Sequence, residues 1–253
     1  MKIIQSYVKT FNKVIFLEKI PFVYTLLFPT IIFWWTNYSK IISRHDLDYA
    51  VMLSANYIAY IVVATAMNGV LLQLINFREI GFLKTYTMIS GGDRRYTVWG
   101  LIISELIFGY ICTLIFSIPI ILLNLASLVK VWTGYTLVYI LSAIPVFIFS
   151  VVGSLLPMRT NTSNVVMNFL LFAMLWLSAS RVDSHALFSE IAWGINPCDY
   201  VTQVFYVIEN GILKAGSVYG YQIVAILVIL LVFVGIGLYS VPRVPINSVN
   251  MRN

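Results

Sequence analysis

Charge is what this sequence has least of. Asp, Glu, Lys and Arg make up 10% of its 253 residues, against roughly a quarter in soluble domains. Hydrophobic residues reach 60% and mean hydropathy is +0.90. A soluble core of this length could not hide so much apolar side chain, so the surrounding solvent must be lipid. Cysteine is scarce too. Cys112 lies within an apolar run and Cys198 in a polar stretch, which excludes a disulfide framework and leaves two unpaired packing residues. The two histidines, His45 and His185, both fall outside the apolar runs. With no Cys or Glu at ligand spacing beside them, a metal centre is not expected. No GxxxxGK[ST] run exists, so no loop can cradle phosphates and the chain cannot hydrolyse ATP itself. A Gly-x-Ser-x-Gly elbow is absent as well, so nucleophilic catalysis has no support. No cofactor is expected in this chain.

What is present is a series of long apolar runs. A spanning helix needs about 20 apolar residues, and six stretches meet or approach that, at about 20–37, 50–76, 98–124, 133–156, 165–181 and 218–240. The first run, Pro21 to Trp35, has no small-residue cleavage site after it and reads as a retained helix. Pro29, Pro119 and Pro145 predict kinks, which bundles tolerate because neighbouring helices re-satisfy the freed backbone groups. The expectation is a single all-α transmembrane domain over 1–253.

The basic excess, 16 against 10 acids, reads as topology rather than as nucleic-acid binding. With the N-terminus inside, the inner segments hold Lys2, Lys9, Lys13, Lys19, Arg78, Lys84, Arg94, Arg95, Arg159, Arg243 and Arg252. The outer ones hold Lys40, Arg44, Lys130, Arg181 and Lys214. Six acids (Asp46, Asp48, Asp183, Glu190, Asp199 and Glu209) fall outside. Both termini are therefore expected in the cytoplasm, with 241–253 as a cytoplasmic tail. Trp34, Trp35 and Trp132 mark the outer interface, and Tyr96 and Trp99 the inner one.

Three segments do not span. In 1–19, Ile4, Val8, Phe11 and Ile15 share one helical face and Lys2, Lys9 and Lys13 the other, which predicts an amphipathic interfacial helix. The inner segment 77–97 is the most charged. There the spacing predicts a helix with Phe77, Ile80, Leu83 and Thr87 on one side and Arg78, Glu79 and Lys84 open to the cytosol. Ser90-Gly91-Gly92-Asp93 reads as a turn, with Asp93 placed to cap the next helix. The outer segment 184–217 is semi-apolar but interrupted by Gly194, Pro197 and Gly211, so it predicts two short helices dipping into the outer leaflet.

The run Arg78-Glu79-Ile80-Gly81-Phe82-Leu83-Lys84, followed by a Gly-rich turn and Arg94-Arg95, resembles the coupling-helix region of type-2 ABC transporter permeases. Arg78, Glu79, Gly81 and Lys84 match the Arg-Glu-x-Gly-x-x-Lys pattern of that family. Asn196-Pro197-Cys198-Asp199-Tyr200-Val201 is similar to the Asn-Pro-x-x-Tyr-Val stretch these permeases carry before the last helix. The resemblance extends over essentially the whole chain. It departs from the family in the turn, where many members have a proline and this chain has Ser90-Gly91-Gly92.

The resemblance implies a membrane subunit of an exporter that pairs with a second copy or a paralogue and rests on a separate cytoplasmic ATPase, which binds the ATP and Mg. It further implies that 1–19 is a connecting helix, that 77–90 is the coupling helix, and that Arg78, Glu79 and Lys84 make polar contacts with the ATPase. A plasma membrane, bacterial by composition, is the expected location. The expected cargo is amphipathic or hydrophobic. A peptide toxin or antimicrobial peptide is preferred, with drugs and lipid-linked polysaccharide as alternatives.

Two polar features inside the spans keep two readings each. Glu105 is the one acid within a span, and it either pairs with a basic residue or serves gating or substrate contact. Thr65, Asn68 and Asn76, with Gln73 alongside, and Asn161, Asn164 and Asn168 form polar stripes that either bond neighbouring helices or line a substrate path. An intramembrane lipid enzyme would need more ionisable residues at one depth. A passive channel would not need the charged amphipathic segment.

Overall fold

The computed structural model describes residues 2–17, 22–44, 46–181, 186–213 and 219–248. Expectations attached to Lys19, His45, Asp183, His185, Lys214, Arg252 and the end of the tail, 249–253, lie outside these residues. All regular secondary structure among the described residues is helical. Among the described residues five helical stretches are long and apolar enough to cross a membrane: Leu47–Glu79, Arg95–Ile121, Leu125–Leu155, Thr160–Ala179 and Gly220–Arg243. They coincide with the second to sixth expected spans.

The expected first span, 20–37, is not among them. Its described part is a π-helical turn, Val23–Leu27, running into helix α2, Phe28–Arg44. The Trp pair and the polar run Thr36 to Lys40 dilute its apolar content, and Asn37 is itself buried, donating from Nδ2 to the Phe33 carbonyl at 2.9 Å. Pro29 is the second residue of α2, while Pro119 and Pro145 lie inside later helices.

Ahead of α2, helix α1 (Lys2–Leu17) buries Tyr7, Phe11 and Ile15, an i, i+4, i+8 stripe along one face. Ile4 and Val8, placed on that face by their spacing, are half-buried. The helix lies along α7 (Arg95–Ile121). A Cβ on Gly100 would collide with that of Tyr7, so only glycine permits this approach. Ser104 seals the pair by donating to the Val8 carbonyl at 3.2 Å.

The next span is assembled from pieces: α3 (Leu47–Leu53), α4 (Ala55–Ala64), a π-helical stretch Thr65–Leu71, and α5 (Leu72–Glu79). Asp46 starts it, its carboxylate accepting from the Asp48 N–H at 3.0 Å. This is the most enclosed span, with 78% of its most apolar stretch buried. After α5 come the short helix α6 (Phe82–Ile89) and α7. In the turn between them Gly91 and Gly92 adopt φ of +77° and +91°. Asp93 accepts from the Arg95 N–H at 2.9 Å, close to the capping role its position predicts.

Helix α8 (Leu128–Ser150) ends in a 3₁₀ stretch, Val151–Leu155, before α9 (Thr160–Ala179). The short helices α10 (Leu187–Gly194) and α11 (Pro197–Val207) follow, then α12 (Gly220–Ser240). Two short helices are what the interrupted 184–217 pattern predicts. Asn196 caps α11 by accepting from the Cys198 N–H at 3.0 Å, with Pro197 in the first helical turn, a pairing suited to a helix start. Only 22% and 28% of the apolar stretches of α9 and α12 are buried, so these two helices form the outside of the bundle.

Candidate functional site

The Arg78–Lys84 segment folds differently from the single helix its spacing suggests. Gly81 has φ +80°, a left-handed conformation that costs other L-residues roughly 1–2 kcal/mol. It ends α5 and redirects the chain into α6, so side-chain register does not carry across the break. Leu83 and Thr87 are buried, but Ile80, expected on the same face, is exposed. Lys84 is exposed as expected and Glu79 is half-buried.

Arg78 is the main correction here. Rather than facing the cytosol it is 1% exposed. Its Nη1 donates to the carbonyls of Ser154 and Leu156, both at 3.1 Å, and its Nη2 to that of Met158 at 2.5 Å. Its Nε pairs with Glu79 at 3.2 Å. A planar fork with five N–H donors matches several carbonyls at once. Arg78 therefore fastens the end of α5 to the α8–α9 junction, where a 3₁₀ stretch leaves carbonyls without helical partners. Arg94 is used similarly, its Nη1 donating to the Val244 carbonyl at 2.6 Å. Two of the basic residues that cluster at this end thus bind the bundle together.

Aromatic rings hold α1 to this same end. Tyr7 donates its hydroxyl to the Tyr86 carbonyl at 2.7 Å and meets the Tyr86 ring edge-on at 5.4 Å. Phe11 stacks on Phe77 at 5.6 Å and meets Tyr86 edge-on at 5.7 Å, and Phe82 contacts both Phe77 and Tyr86. Helices α1, α5 and α6 are one packed unit resting on α7.

The polar residues singled out within the spans converge. Asn68, Glu105, Asn164 and Asn168, together with Thr65, Gln73 and Asn76, line one cavity of about 720 Å³. Its walls come from the π-helical stretch and α5 on one side, α7 behind, and α9 opposite. The π turn matters because its extra residue per turn shifts side chains around the axis, here bringing Thr65, Asn68 and Gly69 to the wall. Glu105 is the tenth residue after Arg95, roughly 15 Å along the α7 axis, and is 3% exposed. Among the described residues it is the only charged one lining this cavity. Its carboxylate occupies the space where a Cβ on Gly69 would stand.

Asn161 belongs to the expected stripe but is not among the lining residues; Thr160 takes that end of the wall. The sequence reading missed Gly69 and the aromatic contributors Tyr24, Phe28, Tyr60, Phe108 and Phe172. A glycine beside an asparagine in mid-span is a signal for close approach. The aromatics carry none, since apolar residues fill every span.

At the opposite end lies a buried ionic cluster that the sequence did not reveal. Arg181, just past α9, pairs with Asp199 of α11 through Nη1 at 2.6 Å and with Glu190 of α10 through Nη2. All three are buried or nearly so. Burial pushes the Asp199 carboxyl up from its ordinary value, and the Arg181 guanidinium pulls it part of the way back. The three residues are spread over 19 positions, so no local motif marks them. Among the described residues no group of three His, Cys, Asp or Glu is placed to hold a metal.

No protein-family model, no curated protein and no solved structure matches this chain.

Proposed function

We propose that this chain is the membrane-spanning permease subunit of an ATP-driven ABC exporter, paired with a second permease chain and resting on a separate cytoplasmic ATPase. The observation that carries the reading is α6. Gly81 swings this helix off the end of the spans with Ile80, Phe82, Met88 and Ile89 between 50 and 70% exposed. Lys84 is exposed among them. An apolar ridge with a charged rim, lying beyond the end of a span, is suited to a partner's groove. A passive channel has no use for it.

In this reading α6 takes up the ATPase's movement and passes it to α1 and α7 through Tyr86, Tyr7 and Phe11. Arg78 is a positioning residue that makes the end of α5 rigid, and Glu79, Gly81 and Lys84 shape and rim the docking surface. The helix Phe28–Arg44 completes six spans, α10 and α11 dip into the outer leaflet, and both termini are cytoplasmic in a bacterial plasma membrane. Cargo enters the cavity beside Glu105, Asn68, Asn164 and Asn168. An amphipathic peptide is preferred over a drug or a lipid-linked glycan.

Affinity purification of the tagged chain in mild detergent, with mass spectrometry of what accompanies it, tests this reading. An ATP-binding subunit is expected in near-equal amount. Recovery of the chain without one, under conditions that preserve such complexes, overturns the assignment.

A further inference from the structure

The end of the bundle that Arg78 fastens carries three further arginines, gathered from segments far apart in the chain. Arg94 donates from Nη1 to the Val244 carbonyl at 2.6 Å, which draws the start of α7 against the residues that follow α12. Arg95 is its neighbour in sequence, and Arg243 immediately precedes Val244. The 3₁₀ turn Val241–Arg243 packs on α7. Arg95 and Arg243 are exposed and Arg94 is half-buried.

Few of their donors are engaged. Arg94 makes its one bond to Val244, and Arg243 donates from Nη1 to the Tyr239 carbonyl at 2.6 Å. Arg95 stands beside the Asp93 carboxylate with Nε and Oδ1 3.9 Å apart, too far for a hydrogen bond. Among the described residues Asp93 is the one acid paired with any of the three. Three guanidinium groups, each with five N–H donors, therefore share one carboxylate, and a phosphate would take up donors and charge together. What adjoins the patch is apolar. α12 is one of the two least enclosed spans, and in its last turns Ile236, Leu238 and Tyr239 are exposed. Arg243 folds back onto that face, its guanidinium carbon 3.4 Å from the centre of the Tyr239 ring. An arginine laid over an aromatic ring at the end of a lipid-facing helix marks the border between hydrocarbon and headgroups. A soluble protein partner has use for the arginines but none for the apolar face beside them.

We infer that Arg94, Arg95 and Arg243 form a binding site for the phosphate headgroup of an anionic phospholipid, whose acyl chains lie along the exposed face of α12. Basic clusters at the ends of membrane helices suit such headgroups. The inference goes beyond the exporter reading and does not depend on it, since it requires only that α12 crosses a membrane.

Native mass spectrometry of the full chain tests this, with the protein released from detergent micelles at low ionic strength, where exposed charges are least screened. The chain is first incubated with equal amounts of dioleoylphosphatidylglycerol and dioleoylphosphatidylcholine, which share their acyl chains and differ in headgroup charge. Phosphatidylglycerol should be retained in preference. That preference should fall about fivefold for each arginine removed, in Arg95→Gln, in Arg243→Gln and in the double variant. Both side chains are exposed, so unfolding temperatures should stay close to that of the unaltered chain; Arg94 is spared because it also ties α7 to the chain beyond α12. Lys9→Gln with Lys13→Gln removes two exposed charges from α1 and should leave the preference intact. Equal retention of the two lipids, or an equal loss in both double variants, overturns the site. So does displacement of the lipid by inorganic phosphate at the same concentration, which would make it a free-phosphate site. A preference unchanged by the arginine variants overturns it as well and leaves those side chains to a protein partner.

Discussion

The carboxylate of Glu105 fills the space that a Cβ on Gly69 would occupy, so α7 and the π-helical part of the preceding span fit together only because position 69 has no side chain. A charged group far inside an apolar bundle is costly to place. Here it is confined to one wall of a polar cavity by a neighbour with nothing to yield. Gly69→Ala should push the carboxylate aside rather than disrupt the fold, because the colliding atoms are the far end of a flexible side chain. Apparent thermal stability in detergent should fall by no more than about 1–3 kcal/mol, while the proposed export falls about tenfold. Unchanged export would show that the placement of Glu105 is immaterial.

Arg78 is a structural fastener, and its loss should be felt in stability before coupling. Arg78→Met removes the guanidinium donors to the Ser154 and Met158 carbonyls and one of the two donors to that of Leu156, which keeps the Met158 N–H. Hydrogen bonds to charged groups contribute about 1.5–3 kcal/mol each and do not simply add. A loss of about 3–5 kcal/mol is expected, seen as a lower unfolding temperature and faster proteolysis between 150 and 160. Arg78→Lys should recover only part, since an ammonium cannot fork between two chain segments.

Gly81 tests the proposed coupling role directly. Nothing lies within 4 Å of a Cβ at this position, so Gly81→Ala acts through the backbone alone, at about 1–2 kcal/mol. In proteoliposomes with the ATPase, ATP hydrolysis should persist while export falls. Gly81→Asn should restore much of it, because asparagine tolerates the left-handed region better than alanine does. Full export by the alanine variant would remove α6 from the mechanism.

The Arg181 cluster predicts a pH signature. Arg181→Met strands two buried carboxylates and should cost about 3–5 kcal/mol near neutral pH. Without the guanidinium, the folded-state value of Asp199, already raised by burial, rises further. An acid with a raised folded value loses stability as pH climbs from its unfolded value, about 3.9, through its folded one. The variant should therefore be more stable at pH 5 than at pH 8, by thermal unfolding at each pH. Adding Glu190→Gln and Asp199→Asn should restore most of the loss and flatten the dependence.

Much of this was legible in order and little in depth. The second to sixth spans follow from apolar run length alone, because lipid imposes a fixed thickness on any helix that crosses it. Asn68, Glu105, Asn164 and Asn168 stand out because polar groups are expensive among apolar ones. Their gathering around one cavity depends on which helices are neighbours, and run length says nothing of that. Arg78 shows the reverse error. A basic residue at a span's end looks like a solvent-facing charge, yet the Ser154 carbonyl in a 3₁₀ stretch 76 residues later, with those of Leu156 and Met158 just past it, draws it inward.

The sequence by itself determined that this is a helical membrane protein without a phosphate-binding loop, and it located the helix breakers, because these properties reside in single residues and short runs. Tertiary structure alone decided that α1 stacks on α7 through Gly100, that Gly69 makes room for Glu105, and that Arg181 joins α9 to α10 and α11. Each of those depends on the distance between segments far apart in the chain. Such distances are set by packing, where a missing Cβ or a stretch of free carbonyls counts for more than local pattern.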